Sequence, residues 1–392
     1  MSGTLTLPGR IPFESGPPRG FASWLGLIRA GDPRVMRRAV LAVAVGWLPL
    51  AFLTLLRGDF IRPDHANAFI LDFGAQARFL ITAPLLILAE SLCGPRLAAI
   101  ARQFVVAGLV AEAHRPAYER AVVSTQRLLD STAAEIAAFV LAYALVVALL
   151  IDRPEAMLPA WHGALSGHIA PTPAGWWGLL VSLPMLLVLL LGWLWRIWLW
   201  TRFLWLMSRM RLHLIPSHPD HAGGLKFVGY SLESFTPLGF ALGVLGAGVV
   251  ANLVVHHGAP PSQFRYHALG VAAFVVVLFT TPLLVFVRRL IEEHHRGILA
   301  YGAFSVQAGQ EFEHKWIEPR PAIDEQTLRL PEFAATNGLY GICTHAFAMA
   351  RVPFELRSVL ILAGSSLVPF APLVLLAVPL DVLLRKAGGF FL

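Results

Sequence analysis

The strongest constraint on this chain is a series of apolar runs, each close to the length of a bilayer crossing. A helical crossing needs about 20 mostly apolar residues. Runs at 39–56, 76–92, 133–151, 175–195, 235–255 and 266–287 meet or approach that length, and 359–380 is a seventh, interrupted by Pro369, Pro372 and Pro379. This predicts an all-α fold, a polytopic transmembrane helical bundle of six to seven spans with amphipathic helices on the cytoplasmic side. Composition agrees. Charged residues make up 14% of the chain and hydrophobic types 56%, whereas soluble domains run near a quarter charged. One large soluble globule is therefore excluded, and so is disorder over most of the length.

The pattern divides the chain into four parts. Residues 1–33 form a Gly- and Pro-rich cytoplasmic tail, 34–287 the bundle, 288–357 a cytoplasmic helical region, and 358–392 a Pro-broken membrane segment and tail. The tail has no early apolar h-region, so the first run reads as a retained signal anchor.

The basic residues assign sides. Six lie in residues 1–38, five in 93–132, five in 196–234 and eight in 288–357, which places 24 of the 31 on alternate connections; Arg78, at the start of the second run, counts with the segment 57–78 before it, so none is expected inside a span. By the positive-inside rule the N-terminus is cytoplasmic. Arg385 and Lys386 would then lie outside after seven spans, or inside if the last segment is bent or re-entrant. Trp176 and Trp177 mark one end of the fourth span. Trp193, Trp195, Trp198, Trp200 and Trp205 mark the other, interleaved with Arg196, Arg202 and Arg209. Trp177 and Trp195 stand 18 residues apart, about 27 Å along a helix. An aromatic belt with snorkelling cations explains this better than a nucleic-acid surface. Residues 97–112 read as an amphipathic helix, and 117–131 as a helix that runs straight into the third span.

Ionisable groups inside a membrane are functional candidates by default. Two acids qualify, Glu90 in the second span and Glu135 at the start of the third. Either could hold a cation or proton, and either could be neutralised by an arginine such as Arg196. Asn252 of the fifth span could line a polar path or bond across helices. On the same span Gly239 and Gly243 form a small-xxx-small pair that suits close packing or a hinge, and Pro369 and Pro372 could bend the last segment. The block PSHPDHAGGL at 216–225 offers His218, Asp220 and His221 as metal ligands or as a rigid turn capped by Asp220. Glu292 and His295 have metal-bundle spacing without a matching helix. Five histidines, His162, His168, His256, His257 and His267, fall in outer segments. Cys93 and Cys343 lack a CxxC context and read as free thiols. With no GxSxG, HExxH or P-loop, neither catalysis nor a cofactor is expected.

Three blocks, HPDHAGGL at 218–225, FEHKW at 312–316 and MARVPFELRSVL at 349–360 with its Pro-spaced tail, resemble a widespread set of bacterial multi-pass inner-membrane proteins. The likeness covers roughly residues 195–385. It implies a bacterial inner-membrane location and carries over no activity. The leading functional expectation is a channel or transporter for an ion or small solute. The alternatives are a scaffold or sensor that binds a cytoplasmic protein through 288–357, and a metal-dependent membrane enzyme. The expected partners are the lipid bilayer, a second copy of the chain and a cytoplasmic protein, with no nucleic acid.

Overall fold

Backbone amides in hydrocarbon have no water to bond, so an apolar run satisfies them internally as a helix. The computed structural model describes residues 35–61, 68–152, 171–257, 264–318 and 331–373, with a few residues of 161–169. Seven of its helices are long and apolar enough to cross a membrane. In chain order the helices are α1 (Val35–Arg57), α2 (Phe73–Val106), α3 (Arg115–Leu129), α4 (Thr132–Ile151), α5 (Pro173–Arg209), α6 (Lys226–His256), α7 (Arg265–Ile317), α8 (Pro331–Phe347) and α9 (Leu356–Leu373). These seven are all but α3 and α8. A two-residue antiparallel ribbon pairs β1 (Ala164–Leu165) with β2 (His168–Ile169).

The protein is an integral membrane protein built as an all-α polytopic bundle. Its outer surface supports this directly. Ile136, Val140 and Val147 of α4 and Phe52, Leu55 and Leu56 of α1 are exposed, and an apolar belt of this kind is stable against lipid rather than water. The core runs through α2 and α5, where Leu86, Phe104, Leu199, Trp200 and Phe203 are fully buried.

Several sequence expectations are corrected. The second span begins at Phe73 rather than residue 76, because the Asp72 carboxylate accepts from Ala75 N at 2.9 Å and caps the helix. It continues through Pro95 to Val106, so 97–112 is no separate helix. Leu97, Ala98, Ala101 and Phe104 stay buried and keep this extension packed, and the chain turns at Gly108, whose φ of 69° suits glycine. Residues 117–131 do not run straight into the third span. α3 ends at Leu129, Asp130 and Ser131 break the path, and α4 restarts at Thr132. Basic residues do enter the spanning helices. Arg78 lies within α2, where it donates to Gly74 O at 2.9 Å, and Arg38 and Arg196 are buried in α1 and α5. Counting loops cannot register such residues, because helices overrun the hydrocarbon and carry cations inward with them.

α6 packs closely against α2, α7 and α9. A Cβ on Gly243 would lie 2.2 Å from the Ser366 carbonyl oxygen of α9, and one on Gly248 would lie 2.5 Å from Ala77 Cβ of α2. Gly239 faces Leu362 and Ser365. In α9 a tight turn at Val368–Phe370 contains Pro369, and Pro372 follows it. Pro379, Arg385, Lys386 and the 1–33 tail lie outside the described residues. α7 is 53 residues long, far more than a crossing requires, and its distal half packs against α8 as a helical hairpin.

Candidate functional site

The polar chemistry of the bundle sits at two levels of α2, the start of the helix and its midpoint at Glu90. At the basic end, Glu90 Oε1 accepts from Arg196 Nη2 at 2.6 Å, and its Oε2 meets Arg38 Nη1 at 2.8 Å. Both arginine side chains are 8% exposed and that of Glu90 is 15% exposed. The Arg196 guanidinium also lies 4.9 Å from the centre of the Trp193 ring. One carboxylate thus ties α1, α2 and α5 together, and the cluster holds two cations for one anion.

At the opposite end Asp72, 2% exposed, organises a second clasp. Its Oδ1 accepts from Ala75 N and, at 2.8 Å, from Asn252 Nδ2, while its Oδ2 accepts from Trp161 Nε1 at 3.0 Å. Asn252 Oδ1 accepts in turn from Gly74 N at 3.1 Å, which couples α6 to the start of α2. No room remains for a side chain at residue 74, where a Cβ would come within 2.8 Å of both Arg78 Nη2 and Asn252 Nδ2. Between the clasps α2 holds a wide π-helical segment, Gln76–Thr82, a feature frequent at functional positions. Beyond it the interior is apolar, with Ala83, Leu86 and Ala89 of α2 and Leu238 and Ala241 of α6 all buried. Replacing Asn252 with alanine is expected to cost about 1–3 kcal/mol, the usual cost of orphaning buried partners, measured as resistance to unfolding in detergent.

The sequence candidates fall into separate places. Glu90 and Asn252 belong to opposite clasps. Glu135 lies in the first turn of α4, where the helix dipole favours an acid. Glu292 is paired with Arg288 at 2.9 Å on α7. Phe264 packs beside His267 at 5.3 Å between ring centres, and His162 lies outside the described residues.

The 216–225 block is a tight turn. Asp220 Oδ1 accepts from Ala222 N at 2.8 Å and Gly224 N at 3.0 Å, and its Oδ2 accepts from Lys226 N at 3.1 Å. His218 Nδ1 is 2.8 Å from Asp220 Oδ1. His221 takes a positive φ of 55°, its carbonyl accepts from Ala350 N at 2.6 Å, and its ring lies 4.9 Å from that of His345. Among the described residues no three His, Cys, Asp or Glu side chains are grouped to hold a metal ion. Burial opposes ionisation of Asp220, but the three amides and His218 outweigh it and hold the carboxyl below its ordinary value. A lowered folded pKa adds stability above the ordinary carboxylate value, about 3.9, and that stability is lost as pH falls through the lowered value. Protection of the Ala222, Gly224 and Lys226 amides, measured as exchange relative to an unstructured peptide at the same pH, is therefore expected to hold down to about pH 4 and to fall below it.

Asp72, Arg78 and Arg38 escaped the sequence reading, which placed all three outside the spans. The one local signal was Asp72 directly before FGAQ, where an acid followed by small residues marks a helix start.

In comparisons with known proteins, no family model, no curated protein and no solved structure matches this chain. Its function is accordingly argued from the side chains.

Proposed function

We propose that this protein is a channel or transporter for an ion or small solute, held closed in this structure, in a bacterial inner membrane with its N-terminus in the cytoplasm. The observation that carries the proposal is the pair of buried polar clasps on one helix. Asp72 and Glu90 lie 18 residues apart on the chain, about 27 Å along a helix, and so bracket a hydrocarbon layer. Polar and charged groups buried at this depth are costly, and a buried salt bridge adds little net stability. Their arrangement makes physical sense as two closures on either side of a dry middle. A dry middle supports a path that opens by helix movement rather than a standing pore. The 24 basic residues on alternate connections support the orientation.

Flux in proteoliposomes tests this reading. Purified protein is expected to carry proton, sodium, potassium, chloride or a small metabolite down an imposed gradient. Glu90→Gln and Asn252→Ala should change the rate severalfold. Absence of flux across the whole panel would remove the reading.

One observation favours a second reading, a membrane scaffold that binds a soluble protein. The α7–α8 hairpin leaves Leu299, Val306, Tyr340 and Ile342 exposed, well away from the clasps. Crosslinking from Glu313 that repeatedly captures one soluble protein, together with a flat flux assay, would favour it.

A further inference from the structure

The Arg38–Glu90–Arg196 cluster is unbalanced in charge. Arg38 Nη1 lies 2.8 Å from Glu90 Oε2, and Arg196 Nη2 donates to Oε1 at 2.6 Å, so the two guanidiniums share one carboxylate, one oxygen each. Among the described residues no second carboxylate pairs with either arginine. Glu233 comes near through Ser234, whose carbonyl accepts from the Cys93 thiol at 2.9 Å, but its Oε1 is engaged by Ser358 Oγ at 3.0 Å. Both arginine side chains are 8% exposed, so neither snorkels into water. The Trp193 ring softens the Arg196 charge but does not cancel it. Buried charges are ordinarily paired, and here one positive charge is left over.

Glu90 is the member of the cluster that can leave. A guanidinium keeps its proton in a protein, and Arg38 and Arg196 are held in place by α1 and α5. The Glu90 side chain is the most exposed of the three, at 15%. When its carboxylate swings aside, two facing guanidiniums remain around the space it filled, and guanidinium donors match a carboxylate or another small anion. The same two charges repel a cation. At the other clasp Asp72 accepts from three N–H donors, and Arg78 and Asp72 both border Gly74, so that closure carries no net negative charge to turn an anion back.

We propose that Glu90 is a tethered occupant of a small-anion site between Arg38 and Arg196 and, resting on the transport reading, that the carried species is an anion. Unfolding of the purified full chain in detergent tests the site, with sodium formate titrated against bulky sodium gluconate at constant ionic strength. Formate should raise the unfolding temperature of Glu90→Gln saturably and leave the wild type unmoved, because Glu90 already fills the site there. Adding Arg38→Met should weaken formate binding about tenfold. No formate response in Glu90→Gln, an equal response in the wild type, or a response unaltered by Arg38→Met would overturn the site. Flux through wild-type protein decides the sign of the charge even if Glu90→Gln fails to fold. Proteoliposomes should pass chloride, nitrate or formate severalfold faster than sodium or potassium. Passage of sodium or potassium without these anions would overturn the anion proposal and leave transport intact. A flat assay for every ion would remove the transport reading and the carried anion with it, and the formate titration would still decide the site.

Discussion

Glu90→Ala is expected to produce the largest loss of stability of any single change in the bundle interior, about 3–5 kcal/mol, because it leaves two buried cations without their anion. Arg38 and Arg196 are each 8% exposed and come from different helices, so neither reaches water without separating α1 or α5 from α2. The measurement is unfolding in mixed micelles at constant detergent. A diagnostic companion is Arg38→Met/Glu90→Leu/Arg196→Met. Apolar replacement of a whole buried ion cluster is often neutral or stabilising by about 1–4 kcal/mol. The triple variant should therefore recover most of the lost stability. If the cluster serves to open and close, that same variant should be stable and inactive in flux. Stability without activity would separate a functional clasp from a structural one.

The second large effect is expected at Gly243. A Cβ there would sit 2.2 Å from the carbonyl oxygen of Ser366 and 2.9 Å from its carbonyl carbon. Backbone cannot rotate aside as a flexible side chain can, so α9 as a whole must move. Gly243→Val should cost about 3 kcal/mol or more, at the upper end of overpacking effects, and should expose α9 to protease in micelles. Gly364→Ala is the control. Nothing lies within 4 Å of a Cβ at that helical position, so it should be neutral or stabilise by about 0.5–1 kcal/mol. The contrast separates close helix approach from a general intolerance of substitution in α9.

The spans were legible because each apolar run is long, and hydrocarbon leaves a helix as the main backbone solution. The clasps were not. Arg38 lies 52 residues from Glu90, and Arg196 lies 106 residues from it. No local pattern relates such distant positions without knowing which helices are neighbours. Glu90 and Asn252 were visible because each is a polar residue inside an apolar run. Asp72 was hidden because it precedes its run at 76–92 by four residues and looks like loop. Arg78 was hidden by its length, since an arginine near a span end is ordinarily assumed to reach water. The chain turns past Val106 at Gly108 and pairs Val110 with Leu212, a contact 102 residues away that periodicity does not report.

The central claim is that the apolar middle of α2 becomes reachable from water when one clasp or the other opens. Ala83 lies in that middle and is fully buried. The most direct measurement is the reaction of Ala83→Cys, in a Cys93→Ser/Cys343→Ser background, with a membrane-impermeant thiol reagent added to one side of oriented vesicles and then to the other. The account predicts slow labelling from each side, and faster labelling from the basic side when Glu90→Gln is added. A cysteine that stays unreactive from both sides, with and without Glu90→Gln, would contradict it.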